Sequence, residues 1–436
     1  MELCEVSQDQ IVDIYPCTPL QEGLMALTAR APGAYTANFS YRLSTDVDID
    51  RFHAAWNAVA RANPILNTRF IHTKPYGSFQ VVIPGDVPWS SHKHEQIDRI
   101  DNFNIPFRLG KPLLKINVIE SDHGSASYRF CLTIHHLLYD AWSLMLLLQQ
   151  VDAAYHGQQL LPRSFSPFIA HISGNQVSAQ DFWRSDLADL DIVTFPALPA
   201  PNFIPHATER QTHVIQLQQT ATDDVTLSTR LRLAWAITLS HYTNTNDIVF
   251  GLTVAGRGAP VFGIEAMTGP TIATIPLRTR LHLDSTVAQA LQEVQGHLIE
   301  LLPYEQIGLQ NIQQLSPDAA AACQFQNLLI IQPHRERYQS KIVTEEDTIS
   351  NWESFTTYAL TLLCDVSPDS IMVHVMYDQQ VIEKGDMQLM LHHFSDVLEQ
   401  LYQRPNQLLS NINKLSASDL RQLQIWNQEV PVQVNR

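Results

Sequence analysis

The residues best suited to chemistry are nine in a row, His135-His136-Leu137-Leu138-Tyr139-Asp140-Ala141-Trp142-Ser143. An apolar extended run leads into two adjacent histidines, and a short loop then passes Asp140 into a second apolar run. Alternation along a strand sends His135 and His136 to opposite faces. One imidazole can then face a cavity while the other packs inside and bonds the backbone. A buried imidazole that titrates near neutrality suits a proton acceptor. Asp140 stands where the second run starts as a helix, so it can cap free N–H groups or hold a buried cation. The plainer readings stand beside these. Among 18 histidines some adjacent pairs arise by chance, and His392-His393 reads as one of them. An aspartate at a helix start is most often only a cap. Ser143 is near His136 in sequence, but no GxSxG elbow surrounds it, so it reads as a cap or a cavity-lining residue, and Trp142 as a packing residue. Tyr358 and Asp378 read as core or rim.

The elements that position this loop follow from periodicity. Ser127 to Ile134 reads as a strand with Tyr128, Phe130, Leu132 and Ile134 on one face, and Ser78 to Ile83 as another. Ala141 to Tyr155, apolar almost all round, reads as a buried helix. Phe52, Trp56 and Val59 mark a helix from Asp50 to Asn63 that Pro64 stops. Pro196, Pro199, Pro201 and Pro205 break any regular structure and mark a connection between lobes. Beyond it the pattern predicts a helix over Val225 to Tyr242 and a buried strand over Asp247 to Ala255 that ends in a Gly256-Arg257-Gly258 turn. A helix over Val287 to Leu302 follows, then strands near Asn327 to Ile331 and Ile371 to Tyr377, and a helix over Met387 to Tyr402. Both halves mix helix and strand without strict alternation, which predicts an α+β protein of two similar lobes.

Composition narrows the functions. The 436 residues suffice for two domains, and 45% hydrophobic against 17% charged residues gives material for two cores. A net charge of −16 with no basic run argues against nucleic-acid and membrane-surface binding. Cys4, Cys17, Cys131, Cys323 and Cys364 are scattered and odd in number, without a CxxC pair, so the reading is free thiols and no metal site. An acidic start and short apolar runs lead to the expectation of a cytoplasmic, soluble chain.

The His135 segment resembles the HHxxxDG signature of condensation domains of nonribosomal peptide synthetases. YPCTPLQEGLM (Tyr15 to Met25) resembles the opening block in its fungal form. RANPILNTRF (Arg61 to Phe70), QDFWRSDL (Gln180 to Leu187), TGPTIATIPLR (Thr268 to Arg278), LPYEQIGLQNI (Leu302 to Ile312) and ACQFQNLLI (Ala322 to Ile330) resemble later blocks. LSASDLRQLQIWN (Leu415 to Asn427) resembles the linker into an adenylation domain. The blocks come in order along nearly the whole chain.

The resemblance implies two chloramphenicol-acetyltransferase-like lobes in a V-shaped pseudo-dimer around a central tunnel. It divides the chain into lobes at 1–175 and 176–410, with a linker at 411–436. It implies peptide-bond formation between a donor acyl or peptidyl thioester and an acceptor aminoacyl thioester. Both are carried on phosphopantetheine arms, by an upstream donor carrier domain and a downstream acceptor carrier domain, with an adenylation domain following. No permanently bound cofactor or metal is implied. His136 would accept a proton or orient the amine; His135 and Asp140 would fix the loop.

Three positions depart from the family pattern. Ala141, a structural member of the active-site loop, stands at the signature's glycine and Ala273 at the asparagine of the TGPTIATIPLR block; Trp142, Ser143 and Ala273 are the candidates to line the tunnel. Gly23 stands where bacterial relatives often carry arginine, so the buried partner of Asp140 must come from elsewhere. Arg278 is the first candidate and Arg257 the second, against a plain surface position for either. An epimerisation domain and a terminal cyclising domain share the loop but not the linker. A heterocyclisation domain would replace the histidines by aspartates, and plant-type acyltransferases would carry a DFGWG block. A non-catalytic carrier-docking platform of the same fold remains the reading from another class.

Overall fold

The computed structural model describes residues 2–31, 33–93, 108–121, 127–217, 224–333, 340–349, 357–414, 420–421 and 425. Two large hydrophobic cores, and a small cluster of Cys4, Val81 and Ile83, hold their buried apolar side chains. The first runs from Tyr15 to Ile172 and the second from Ala179 to Ile412. In the tail that follows, residues 415–419, 422–424 and 426–436, which include most of the linker-like segment, lie outside the described residues.

The first core lies against a five-stranded sheet in the order Val343–Ile349, Thr36–Leu43, Ser127–His135, Leu114–Ser121, Trp89–Lys93. Neighbours are antiparallel except the last pair. Phe130, at the centre of strand Ser127–His135, meets the rings of Phe52 and Trp56 from helix Ile49–Ala62 at 5.2 and 5.5 Å. That helix starts at Asp48, whose side chain accepts the Arg51 N–H, and it ends before Pro64 as the sequence predicts. The strand buries Phe130, Leu132 and Ile134 and also Cys131, Thr133 and His135, so both faces are covered where one was expected. A three-stranded antiparallel sheet, Asp13–Pro16, Gly77–Val82, Thr68–Thr73, joins the same half.

The second core is built on a six-stranded sheet. Its order is Ala273–Arg280, Asp247–Val254, Asn327–Pro333, Leu360–Val366, Ser370–Tyr377, Glu209–Gln216. Asn327–Pro333 runs parallel to both its neighbours and the other pairs are antiparallel. Helices Leu227–Thr243, Val287–Leu301 and Lys384–Gln403 cover it.

The helix enclosed on all sides is not the one the sequence marks as buried. Leu227–Thr243 is buried without a break from Thr229 to Ser240, apart from Arg232. Ala141–Tyr155 begins and ends where predicted but buries only Ser143, Leu147, Val151, Asp152 and Tyr155, one stripe at helical spacing. Its remaining leucines are half-buried. Apolarity all round thus marks a helix that can be enclosed, and packing decides which one is.

Two pieces of the second half cross into the first. Ile264 and Met267, from the loop after the Gly256-Arg257-Gly258 turn, belong to the first core. So does Ile342, which leads into strand Val343–Ile349, the edge of the first sheet. Ser44 secures that entry: its N–H donates to Ile342 O at 3.0 Å and its hydroxyl to Lys341 O at 2.9 Å. Asp152, near the end of helix Ala141–Tyr155, accepts from the Ser340 hydroxyl at 3.3 Å and the Lys341 N–H at 3.4 Å.

Candidate active site

Strand Ser127–His135 delivers the two histidines to opposite environments. His135 still belongs to the ladder, its N–H bonded to Leu113 O at 3.0 Å, while the His136 N–H turns to Tyr35 O at 2.8 Å. Their hydrogen bonds fix opposite tautomers. His135 Nδ1 accepts the Leu137 N–H at 3.1 Å, so its proton is on Nε2, 3.2 Å from Thr28 Oγ1. Thr28 spends its own proton on Leu24 O at 2.7 Å and can accept. His136 Nδ1 lies 2.7 Å from Tyr139 O, an acceptor only, so that nitrogen carries the proton and Nε2 the lone pair.

Both rings are held neutral. Burial, with repulsion from His136, drives His135 down to about 3. Burial also lowers His136, opposed by hydrogen bonds to its own and the Tyr139 carbonyls and by the charge of Asp140. The His136 ring stacks on Tyr139 at 5.0 Å and, unlike His135, keeps partial access to solvent. The loop below is held by Gln21, fully buried, whose amide donates to Leu137 O and to Gln80 Oε1, both at 3.1 Å.

Asp140 is both cap and counter-ion. Its Oδ1 accepts the Ser143 N–H and hydroxyl, each at 2.7 Å. Its Oδ2 accepts the Thr271 N–H at 3.0 Å and hydroxyl at 3.3 Å. Both oxygens take Arg257 Nη2, at 3.2 and 3.1 Å. The carboxylate, 0% exposed, is therefore saturated by donors and serves position, not proton transfer.

Arg257 gathers its own loop as well. Nη1 donates to Ile264 O at 2.7 Å and Met267 O at 2.6 Å, and Nη2 reaches Gly269 O at 3.1 Å. Burial lowers its proton affinity and Asp140 restores part of it. Gly269 has φ +122°, and a Cβ there would lie 2.6 Å from the Phe165 ring, so only glycine fits. Gln306 holds Thr271 O at 2.8 Å from behind.

The sequence-derived residues fall as follows. His135, His136 and Asp140 share the loop. Ser143 is fully buried, its hydroxyl between Asp140 and Gly269. Trp142 does more than pack: its Nε1 donates to Glu265 O at 2.7 Å and its ring lies 5.7 Å from the Arg257 guanidinium. Ala141 is exposed at the helix start, whereas Ala273 is 5% exposed and packs with the second core.

Arg278 does not reach Asp140 and is not part of the active-site loop. Its Nε and Nη2 clamp Asp247 at 2.8 and 2.6 Å, and its remaining donors take Asp186 O, Ala188 O and Asp189 O. The reason is geometric. Thr271 touches Asp140, and seven residues of mostly extended chain carry Arg278 ~23 Å further on. Arg257, the second candidate, is the partner.

Gln21, Thr28, Tyr35, Gly269, Thr271 and Gln306 escaped the sequence reading as site residues. Three of the motif blocks contained Gln21, Gly269, Thr271 and Gln306, but nothing local said which side chains turn inward. Among the described residues no three His, Cys, Asp or Glu side chains gather to hold a metal ion, and no helix is long and apolar enough to cross a membrane.

Solved structures share this fold. The solved structure titled "The crystal structure of CT" superposes with a TM-score of 0.77 over 94% of this chain and 96% of that one, at 19% identity. The first condensation domain of the calcium-dependent antibiotic synthetase, in complex with a substrate analogue, gives 0.69 over 92% and 99%, at 14% identity. These likenesses carry the α+β fold, and the two cores fit its V of two lobes. In sequence, the chain is 38% identical over 435 residues to the nonribosomal peptide synthetase fmqA of Aspergillus fumigatus, covering 99% of this chain and 11% of that protein. It is 39% identical over 430 residues to the synthetase otaB of Aspergillus carbonarius, covering 97% of this chain and 22% of that protein. The chain thus spans a tenth to a quarter of these much longer fungal synthetases. With the condensation-domain family profile matching residues 11–424, the paired histidines and their clasped aspartate have a family, and this chain belongs to it: the condensation domains of nonribosomal peptide synthetases.

Proposed function

We propose that this domain forms an amide bond between a donor acyl or peptidyl thioester and an acceptor aminoacyl thioester. Each is tethered to the phosphopantetheine arm of a carrier domain, the donor's upstream and the acceptor's downstream, with an adenylation domain beyond. The observation that carries the reading is the His136 tautomer. A neutral imidazole with its proton fixed on the Tyr139 carbonyl presents a lone pair at Nε2, as a proton acceptor requires.

The reaction asks for little else. An α-amine with a pKa near 8 is partly neutral at pH 7, so it needs alignment more than activation. Its lone pair forms the C–N bond while the carbonyl π electrons move to oxygen. As the tetrahedral intermediate collapses, the C–S bond breaks and the donor arm leaves as thiolate. The proton shed by nitrogen passes to His136 Nε2 and on to the thiolate, so the histidine returns to its starting state. Two tethered substrates held in register account for much of the rate. Asp140 and Arg257 contribute by holding the loop between the two cores.

Intact-protein mass spectrometry of the acceptor carrier tests this, with wild type and His136→Ala each mixed with loaded donor and acceptor carriers. Circular dichroism establishes that both proteins are folded. The expected result is transfer of the donor's mass by wild type and a loss of about 10²- to 10⁴-fold in the variant. Equal transfer by both would overturn the base role. Binding of carriers without transfer, across a panel, would leave a docking platform.

A further inference from the structure

Strand Ala273–Arg280 carries the chain away from the Asp140 clasp, and its far end borders a cavity of about 200 Å³. Helix Val287–Leu301 forms the facing wall with Ala290, Glu293, Val294 and His297, which share one helical face. Leu281, Ala290 and Val294 are buried and give the lining its apolar part. Drug-sized ligands usually occupy about 300–1,000 Å³, so this cavity suits a molecule of few heavy atoms. A phosphopantetheine arm is too large for it.

Some polar groups around the cavity are already spent. Arg278 commits its N–H donors to Asp247 and to the carbonyls of Asp186, Ala188 and Asp189. His297 Nε2 lies 2.9 Å from Asp186 Oδ1, which fixes the imidazole. Others keep free capacity. Thr279 lines the cavity and is only 6% exposed, yet its hydroxyl has no hydrogen-bond partner among the described residues. Arg280 makes one side-chain bond, Nη2 to Ala188 O at 3.3 Å, and keeps its other donors. Glu293 makes no side-chain hydrogen bond or ion pair among the described residues, with Arg280 or any other. An open guanidinium and an open carboxylate thus border one small cavity without meeting.

A simple anion placed here would be repelled by Glu293, and a simple cation by Arg280. A small zwitterion answers both, and the apolar lining takes a hydrocarbon side chain. We propose that this cavity binds a free apolar α-amino acid, its carboxylate on Arg280, its ammonium on Glu293 and its side chain against Leu281, Ala290 and Val294. The Thr279 hydroxyl is a further partner for the polar end. The site is separate from the His136 loop, and its occupancy does not rest on the proposed transfer reaction.

The test is ligand titration of the whole chain by saturation-transfer NMR. The probes are leucine, isocaproate (leucine without its amine) and isoamylamine (leucine without its carboxylate), with valine and phenylalanine for size. Arg280→Gln and Glu293→Gln change exposed residues, and thermal denaturation establishes that both variants keep the wild-type fold. The expected result is saturable binding of leucine, with each analogue about 10-fold weaker or more. Arg280→Gln weakens leucine by a similar factor and no longer separates it from isoamylamine. Glu293→Gln does the same and no longer separates leucine from isocaproate. No saturable binding of leucine, valine or phenylalanine overturns the proposal. So does leucine binding that both variants leave unchanged, which would place the amino acid elsewhere. Isocaproate bound by wild type as tightly as leucine also overturns it, because the cavity would then read the anion alone.

Discussion

Two buried arginine–carboxylate pairs sit in this molecule and do different work. Arg278 and Asp247 meet within the second core, where a bidentate clamp joins strand Ala273–Arg280 to its neighbour and the arginine gathers the carbonyls of 186–189. Arg257 and Asp140 meet between the cores, where the arginine organises one lobe's loop and the aspartate caps the other lobe's helix. The first pair closes a seam inside one body. The second aligns two bodies, and His136 lies four residues from its carboxylate. Chemistry that needs alignment depends on the second kind, and the chain places there His136, the proton acceptor of the proposed reaction.

The comparison breaks most visibly when one partner is removed from each pair. Asp140→Ala leaves Arg257 buried and uncompensated, at a cost of about 3–5 kcal/mol, and abolishes transfer. Arg278→Ala should cost somewhat less, because Asp247 is 14% exposed and can turn to water. It should leave the rate per folded molecule near wild type. Urea denaturation gives the stabilities and the carrier assay the rates; equal loss of transfer in both variants would erase the distinction.

Acid gives a second contrast. His135 is held neutral in the folded chain down to about 3, whereas in the unfolded chain it takes up a proton near 6.5. Between those values the unfolded state binds more protons, so stability falls as pH falls, by about 1.4 kcal/mol per unit. His135→Asn keeps an acceptor for the Leu137 N–H without the titration. Denaturation midpoints at pH 7 and pH 5 should separate in wild type and draw together in the variant.

The smallest effect sharpens the view of the inter-core pair. Trp142→Phe removes the bond to Glu265 O but keeps an aromatic ring by Arg257, for a loss of about 1 kcal/mol. Thermal denaturation should register that loss, and transfer should fall only slightly, by less than in Asp140→Ala.

What the sequence could say about this site stopped at local range. The limits of helix Ala141–Tyr155, the Asp140 cap and the opposite facing of two adjacent histidines all follow from neighbours a few residues apart. Arg257 lies 117 residues from Asp140 and Thr271 lies 131 away, and no periodicity joins positions so distant. Arg278 lies seven residues beyond Thr271 along an extended strand and Arg257 in the turn before it, and only the fold shows which of the two meets Asp140. Strand Val343–Ile349 was invisible for a different reason. Its sequence, VTEEDTI, has three acidic residues and no apolar alternation, so it is a strand only because Thr36–Leu43 offers it a ladder.

That crossing strand also sets a timetable. A ribosome that has made the first core's last helix, Ser166–Gly174, must still add roughly 175 residues before Ile349 emerges, about 10–35 s of synthesis at ordinary rates. Through that interval the nascent first sheet has Thr36–Leu43 as an open edge, with its main-chain donors and acceptors unanswered, and its core lacks Ile342. This is the window in which the edge can pair with the wrong strand.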